Sequence, residues 1–121
     1  MSEATSVLVV STDVGTRSHV RLTLGDDRFE IREAQDAASA VHQVAEQRPV
    51  VMVLDLDLPD GGALGLARSL RSQPETAEVR TLVLVPRGGS APDDAPGVDA
   101  SLMVPATTFA LLRKVDGLLA V

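Results

Sequence analysis

A parallel α/β sheet with helices on both faces is the fold class this sequence predicts, and three observations predict it. Short β-branched and apolar runs alternate with longer stretches of helical periodicity, which is the pattern of βαβ units. The runs at 7–10 and 50–54 are apolar without alternation, as strands covered on both faces must be. Finally, 121 residues that are 45% hydrophobic suffice for one core, so residues 1–121 read as a single domain.

Each element has a local reason. The run at 7–10 is a first, central strand. Asp13 has the side chain of an N-cap, and the helix behind it sets Val20 and Leu24 one turn apart on a common face before Gly25 stops it. From Arg28 to Glu33 the chain alternates, Phe29 and Ile31 inward and charges outward, as in a half-exposed edge strand. Asp36 caps a second helix whose apolar stripe is Ala37, Ala40, Val41, Val44 and Ala45, and which ends before Pro49. The strand at 50–54 follows, then a loop from Pro59 to Gly62 and a helix carrying Leu64, Leu66, Ala67 and Leu70. Strands are predicted at 79–85 and 100–104, with Met52 and Met103 as ordinary packing residues of their strands. A last helix bears Phe109, Leu112, Val115 and Leu119 and is capped by Thr107 or Thr108. Between the last two strands, 87–96 holds two prolines and two glycines without apolar periodicity. The helix that the alternation requires there is therefore short or irregular.

Composition narrows the function. A formal net charge of −6 disfavours phosphate backbones, so no direct nucleic-acid contact is expected. No apolar run approaches the roughly 20 residues that span a bilayer, and the N-terminus lacks the basic and long apolar regions of a secretory signal. No membrane association and a cytoplasmic location are the expectations. The chain has no cysteine, and His19 and His42 are too few and too separated for a metal cage. Both histidines fall on predicted helices among polar neighbours and read as solvated, as do Arg68, Arg71 and Arg87.

In open parallel sheets ligands gather at the carboxyl ends of strands. Here those ends carry Ser11, Thr12 and Asp13; Asp55 and Asp57; Val85 and Pro86; and Val104 and Pro105. The run Val-Leu-Asp-Leu-Asp-Leu-Pro-Asp-Gly-Gly at 53–62 resembles the phosphoacceptor strand and loop of receiver domains in bacterial two-component response regulators, and the stretch from Gly97-Val98-Asp99 to Pro105 resembles the end of that fold. The resemblance implies a flavodoxin-like, doubly wound sheet of five strands in the order 2-1-3-4-5. It makes Asp55 the acceptor of a phosphoryl group from a histidine kinase. It also implies Mg2+ held by two acids after the first strand, by the acceptor and by a backbone carbonyl two positions on, with a lysine before the last proline and a hydroxyl residue at the end of strand four.

The chain departs from that pattern at its supporting positions. Ser11 and Thr12 stand where two acids are expected, and neutral hydroxyls are poor ligands for a hard cation. Val85 takes the hydroxyl position, Val104 the lysine position, and Ser101 the place of an aromatic residue. Pro105 remains, and the resemblance implies a cis peptide before it. Asp13, one position late, and Asp57 are left to join Asp55 in any weak Mg2+ site. Each lost charge-assisted hydrogen bond costs about 1.5–3 kcal/mol. The sequence therefore reads as an atypical, stand-alone pseudo-receiver that is not an enzyme and requires no cofactor. It would signal by contact with a histidine kinase, another signalling protein or a second copy, with phosphotransfer at Asp55 weak or absent. The alternative is a working phosphoacceptor that uses Asp13 or Asp57 for Mg2+.

Three further readings carry less. Asp55-Leu56-Asp57 has the spacing of the carboxylate pair of haloacid dehalogenase-type phosphatases, but those enzymes place it on the first strand and need a small hydroxyl residue where Pro59 stands. The hydroxyl-rich stretch 11–16 resembles a flavodoxin phosphate loop, yet Asp13 would repel phosphate and there is no Trp or Tyr to stack on a flavin. Leu102, Met103 and Val104, on an edge strand beside an irregular loop, form a surface suited to self-association.

Overall fold

The computed structural model describes residues 5–25, 28–59 and 61–119. Five strands, β1 (Thr5–Val10), β2 (Phe29–Ala34), β3 (Val51–Asp55), β4 (Arg80–Val85) and β5 (Ala100–Met103), form one sheet in the order β2-β1-β3-β4-β5. All four pairings are parallel, with Val10 level with Ala34 and Leu54, Leu54 with Val83, and Val85 with Met103. The described residues form four helices, α1 (Val14–Leu24), α2 (Ala37–Glu46) and α3 (Ala63–Ser72) between successive strands and α4 (Thr108–Leu119) after β5.

The pleat divides the inner strands between two cores. Val7, Val9, Val51, Val53, Leu82 and Leu84 face α1 and α4, where Val20, Leu24, Leu111 and Val115 meet them. Leu8, Val10, Met52, Leu54, Val83 and Val85 face α2 and α3, against Ala40, Val44, Leu66 and Leu70. Successive strand residues point to opposite faces, which is why β1, β3 and β4 show no polar alternation.

The helix ends follow the local signals. Asp13 accepts from the backbone N–H groups of Gly15 and Thr16, and Asp36 from that of Ser39, each satisfying an orphan donor of the first turn. At Gly25 the constraint is space: a Cβ there would run into the carbonyl oxygen of Arg21. Thr107 caps the start of α4, its Oγ1 accepting from the Ala110 N–H at 3.0 Å.

No helix forms between β4 and β5 among the described residues; 86–99 runs as turns. Its end is pinned by Asp99, whose Oδ2 accepts from the Thr81 N–H at 2.8 Å and from the Arg71 guanidinium. Arg71 is thus a structural partner, not a solvated surface residue. Ser101 Oγ donates to Asp93 at 2.9 Å, and Gly97, at φ +87°, lies against the Ala67 carbonyl of α3.

Three packing expectations are corrected. In α4 the buried residues are Leu111 and Val115, while Phe109 is 68% exposed under the Arg113 guanidinium. Phe109 is two residues from Leu111, about 200° around the axis, so the two cannot share the sheet-facing stripe. Met103 is 49% exposed, because Leu102 turns toward the α4 side and leaves Met103 on the opposite face, which the helix-free segment 86–99 does not cover. In α2 only Ala40 and Val44 are buried, and Val41 and Ala45 face solvent.

Two glycines separate conformation from space. Gly97→Ala should lose about 1–3 kcal/mol in urea unfolding, from a strained positive φ and a blocked approach to Ala67. Gly65→Ala, inside α3 with open space at its Cβ, should gain up to about 1 kcal/mol.

Candidate functional site

The site is assembled where β1 and β3 end. The Ser11 N–H donates to the Ala34 carbonyl at 3.0 Å, extending the sheet by one residue, and leaves Ser11 fully buried. Its Oγ donates to Asp55 Oδ2 at 2.9 Å and accepts from the Asp13 N–H at 3.0 Å. Asp55 closes β3, and its Oδ1 accepts from the Asp57 N–H at 3.0 Å. Each carboxylate oxygen of Asp55 therefore already has a donor, one a neutral hydroxyl and the other a backbone amide.

The loop after β1 is clamped from its far side. Arg17 Nη1 donates to the Ser11 carbonyl at 2.7 Å while its Nε donates to Glu33 Oε1 at 2.8 Å. Arg21 donates to the other oxygen of Glu33, also at 2.8 Å. The bond from Arg21 is the main reason the Glu33 carboxyl is held below its ordinary range, with Arg17 adding to it.

Asp13 faces its own helix. Its carboxylate accepts from Thr16 Oγ1 at 2.8 Å, from the Thr16 N–H at 3.2 Å and from the Gly15 N–H at 3.3 Å. The Thr16 hydroxyl, followed by the Gly15 amide, keeps this carboxyl below the usual carboxylate range. Thr12 and Asp57 are exposed. Val85 is fully buried on the α2 and α3 face, and its carbonyl accepts from the N–H of Val104, whose side chain packs on the α1 and α4 face, at 2.9 Å. The Val104–Pro105 peptide is cis.

These donors do not suit a hard divalent cation, which takes several oxygen ligands, mostly carboxylates and carbonyls. Asp13 is engaged as a cap, Ser11 directs its hydroxyl proton at Asp55, and among the described residues no three acidic or histidine side chains are placed to share an ion.

One residue near the site escaped the sequence reading. His19 is partly covered between α1 and α4, not solvated, and its Nε2 is buried without a hydrogen-bond partner among the described residues. Nothing in local periodicity signals this. His42, Arg68 and Arg87 are exposed as expected.

The family model of the response regulator receiver domain matches residues 7–90. The chain belongs to that family. Receiver domains are signalling modules that typically bind Mg2+ at their phosphorylation site and interact with histidine kinases and other proteins. Over 83 residues, 69% of this chain, it is 36% identical to the virulence transcriptional regulatory protein PhoP of Salmonella typhimurium. Over 85 residues it is 32% identical to the phosphate regulon transcriptional regulatory protein PhoB of Escherichia coli. The matched region is 36% and 37% of those proteins, so the chain spans little more than a third of their length. Among solved structures, a chain described as a response regulator from Chloroflexus aurantiacus superposes with TM-score 0.88 at 24% identity, covering 98% of this chain and all of that one. NtrX from Brucella abortus gives 0.84 at 26% identity, covering 97% of this chain and 26% of that one. The 2-1-3-4-5 sheet is thus the receiver fold, here with four helices.

Two outcomes test this geometry. Ser11→Ala should destabilise the fold by about 1–3 kcal/mol in urea unfolding, because an Asp55 oxygen and the Asp13 N–H both lose their partner. Glu33 has a depressed folded pKa, so its contribution is present above its ordinary value of 4.5 and is lost as pH falls through the lower folded value. Stability of Glu33→Gln, followed from pH 6 to pH 3, should fall less steeply than that of the wild-type domain.

Proposed function

We propose that this receiver domain signals by protein contact largely independent of phosphorylation, with phosphotransfer to Asp55 weak or absent. The observation that carries the reading is the environment of Asp55. Its carboxylate is bonded to the neutral Ser11 hydroxyl and to a backbone amide, and Val85 and Val104 occupy the neighbouring strand ends. Phosphoryl transfer depends on neutralising charge around the moving group. Two valines supply neither a cation nor a hydrogen bond, and Asp13 is committed to capping α1.

The partner in this reading is a histidine kinase, another signalling protein or a second copy of the domain. A bacterial cytoplasm goes with that role, supported by the bacterial origin of the relatives. The contact face would differ from that of a receiver with a full complement of helices, because 86–99 is a turn-rich segment tied down by Asp99.

Intact mass after incubation with a small-molecule phosphodonor, with and without Mg2+, tests the proposal. The wild-type domain and Asp55→Ala should both remain unlabelled. Mg2+-dependent addition of one phosphoryl group, lost in Asp55→Ala, would overturn it and restore a working phosphoacceptor with Asp13 or Asp57 as metal ligand. The combined variant Ser11→Asp, Thr12→Asp and Val104→Lys should acquire Mg2+-dependent labelling, since it returns the carboxylates and the cation that the transfer needs.

A further inference from the structure

A Mg2+ ion takes near-octahedral oxygen ligands at about 2.0–2.1 Å and gives up its waters reluctantly, so it needs carboxylates and carbonyls that are free to turn toward it. At the strand ends of this chain the nearest oxygens are already engaged. Asp55 Oδ2 accepts from Ser11 Oγ at 2.9 Å, and Oδ1 accepts from the Asp57 N–H at 3.0 Å. The Ser11 carbonyl accepts from Arg17 Nη1 at 2.7 Å. The Asp13 carboxylate accepts three bonds from Thr16 and Gly15 at the start of α1. Thr12, neutral, and Asp57 remain, both exposed.

Two features do the work that a metal would do there. The Ser11 hydroxyl donates to Asp55 and accepts from the Asp13 N–H at 3.0 Å, so one side chain links the end of β3, the residue after β1 and the cap of α1. Ser11 is fully buried. A hydroxyl proton turned away to admit an ion would find no water, and a buried donor left unpaired is costly. The second feature is a cation that belongs to the chain. The Arg17 guanidinium, with its side chain only 12% exposed, lies behind the Ser11 peptide and is shared with Glu33. A fixed positive charge on one side of that peptide opposes a divalent ion on the other.

We infer that the Ser11 hydroxyl, backed by Arg17, replaces the metal at Asp55 and makes the domain blind to Mg2+: its strand ends are tied, and its stability is set, without a divalent cation. The tie is independent of how the domain signals. Labelling of Asp55 without a Mg2+ response would overturn the phosphorylation-independent reading and leave the tie in place.

A titration of the 15N-labelled wild-type domain with Mg2+, to about 10 mM and against choline chloride of equal ionic strength, tests this by NMR. The thermal midpoint is read in both solutions, because a ligand that binds only the folded state raises it. The amides of Ser11, Asp13, Leu56 and Asp57 should show no saturable shift, and the midpoint should not move. In Ser11→Ala the Asp13 amide should exchange about fivefold faster, since it loses its acceptor, and Mg2+ should not restore the protection. Ser11→Asp, which sets a second carboxylate beside Asp55, should be less stable than wild type without metal and should gain saturable shifts and a raised midpoint with Mg2+. Saturable Mg2+ shifts at these amides in the wild type, or a raised wild-type midpoint, would overturn the proposal. Unchanged Asp13 exchange in Ser11→Ala would do the same, as would a folded Ser11→Asp domain that responds to Mg2+ no more than wild type. If Ser11→Asp does not fold, the wild-type and Ser11→Ala readouts decide.

Discussion

The inner strands have no polar face, and the rest of the molecule answers to that constraint. β1, β3 and β4 are buried along almost their whole length, so both surfaces of the sheet must be covered by helices that follow the strands. Parallel pairing satisfies the backbone groups between strands, and α1 with α4 and α2 with α3 divide the two faces. The ends of the strands are the one place where side chains escape the layers. Ser11 and Asp55 meet there because their strands are held in register, not because of any local sequence relation.

Within that edge, the Ser11 hydroxyl sets the character of the site. A buried hydroxyl at Ser11 bonds Asp55 and the next turn of chain together, so the carboxylate is satisfied by the protein itself. A receiver with acids at these positions would hold several like charges together and rely on a cation to relieve them. Here the relief is internal, and Arg17 strengthens it by fixing the Ser11 carbonyl from the opposite side. Just past the end of β5, Val104 packs its aliphatic side chain on the α1 and α4 side of the sheet.

The segment 86–99 shows how a connection between parallel strands is held without a helix. Pro92 and Pro96 and the glycines at 88, 89 and 97 work against a continuous helix. In its place one carboxylate, Asp99, gathers a backbone amide of β4 and a guanidinium of α3. The face is held by a few specific bonds instead of a packed stripe, and Met103 stays exposed as a result.

The sequence by itself determined the elements, their order and the strand ends that carry the site. Alternation, continuous apolar runs and the caps Asp13 and Asp36 act over a few residues, where chain geometry leaves little choice. The motif around Asp55 carried the family. Only the tertiary structure decided which polar groups find each other: Ser11 with Asp55, 44 positions apart, and Arg71 with Asp99, 28 apart. It also decided that Leu111 is buried and Phe109 is not. These depend on the rotation of each helix against the sheet, and a short-range pattern gives a helix a stripe without stating which edge of it the sheet will meet.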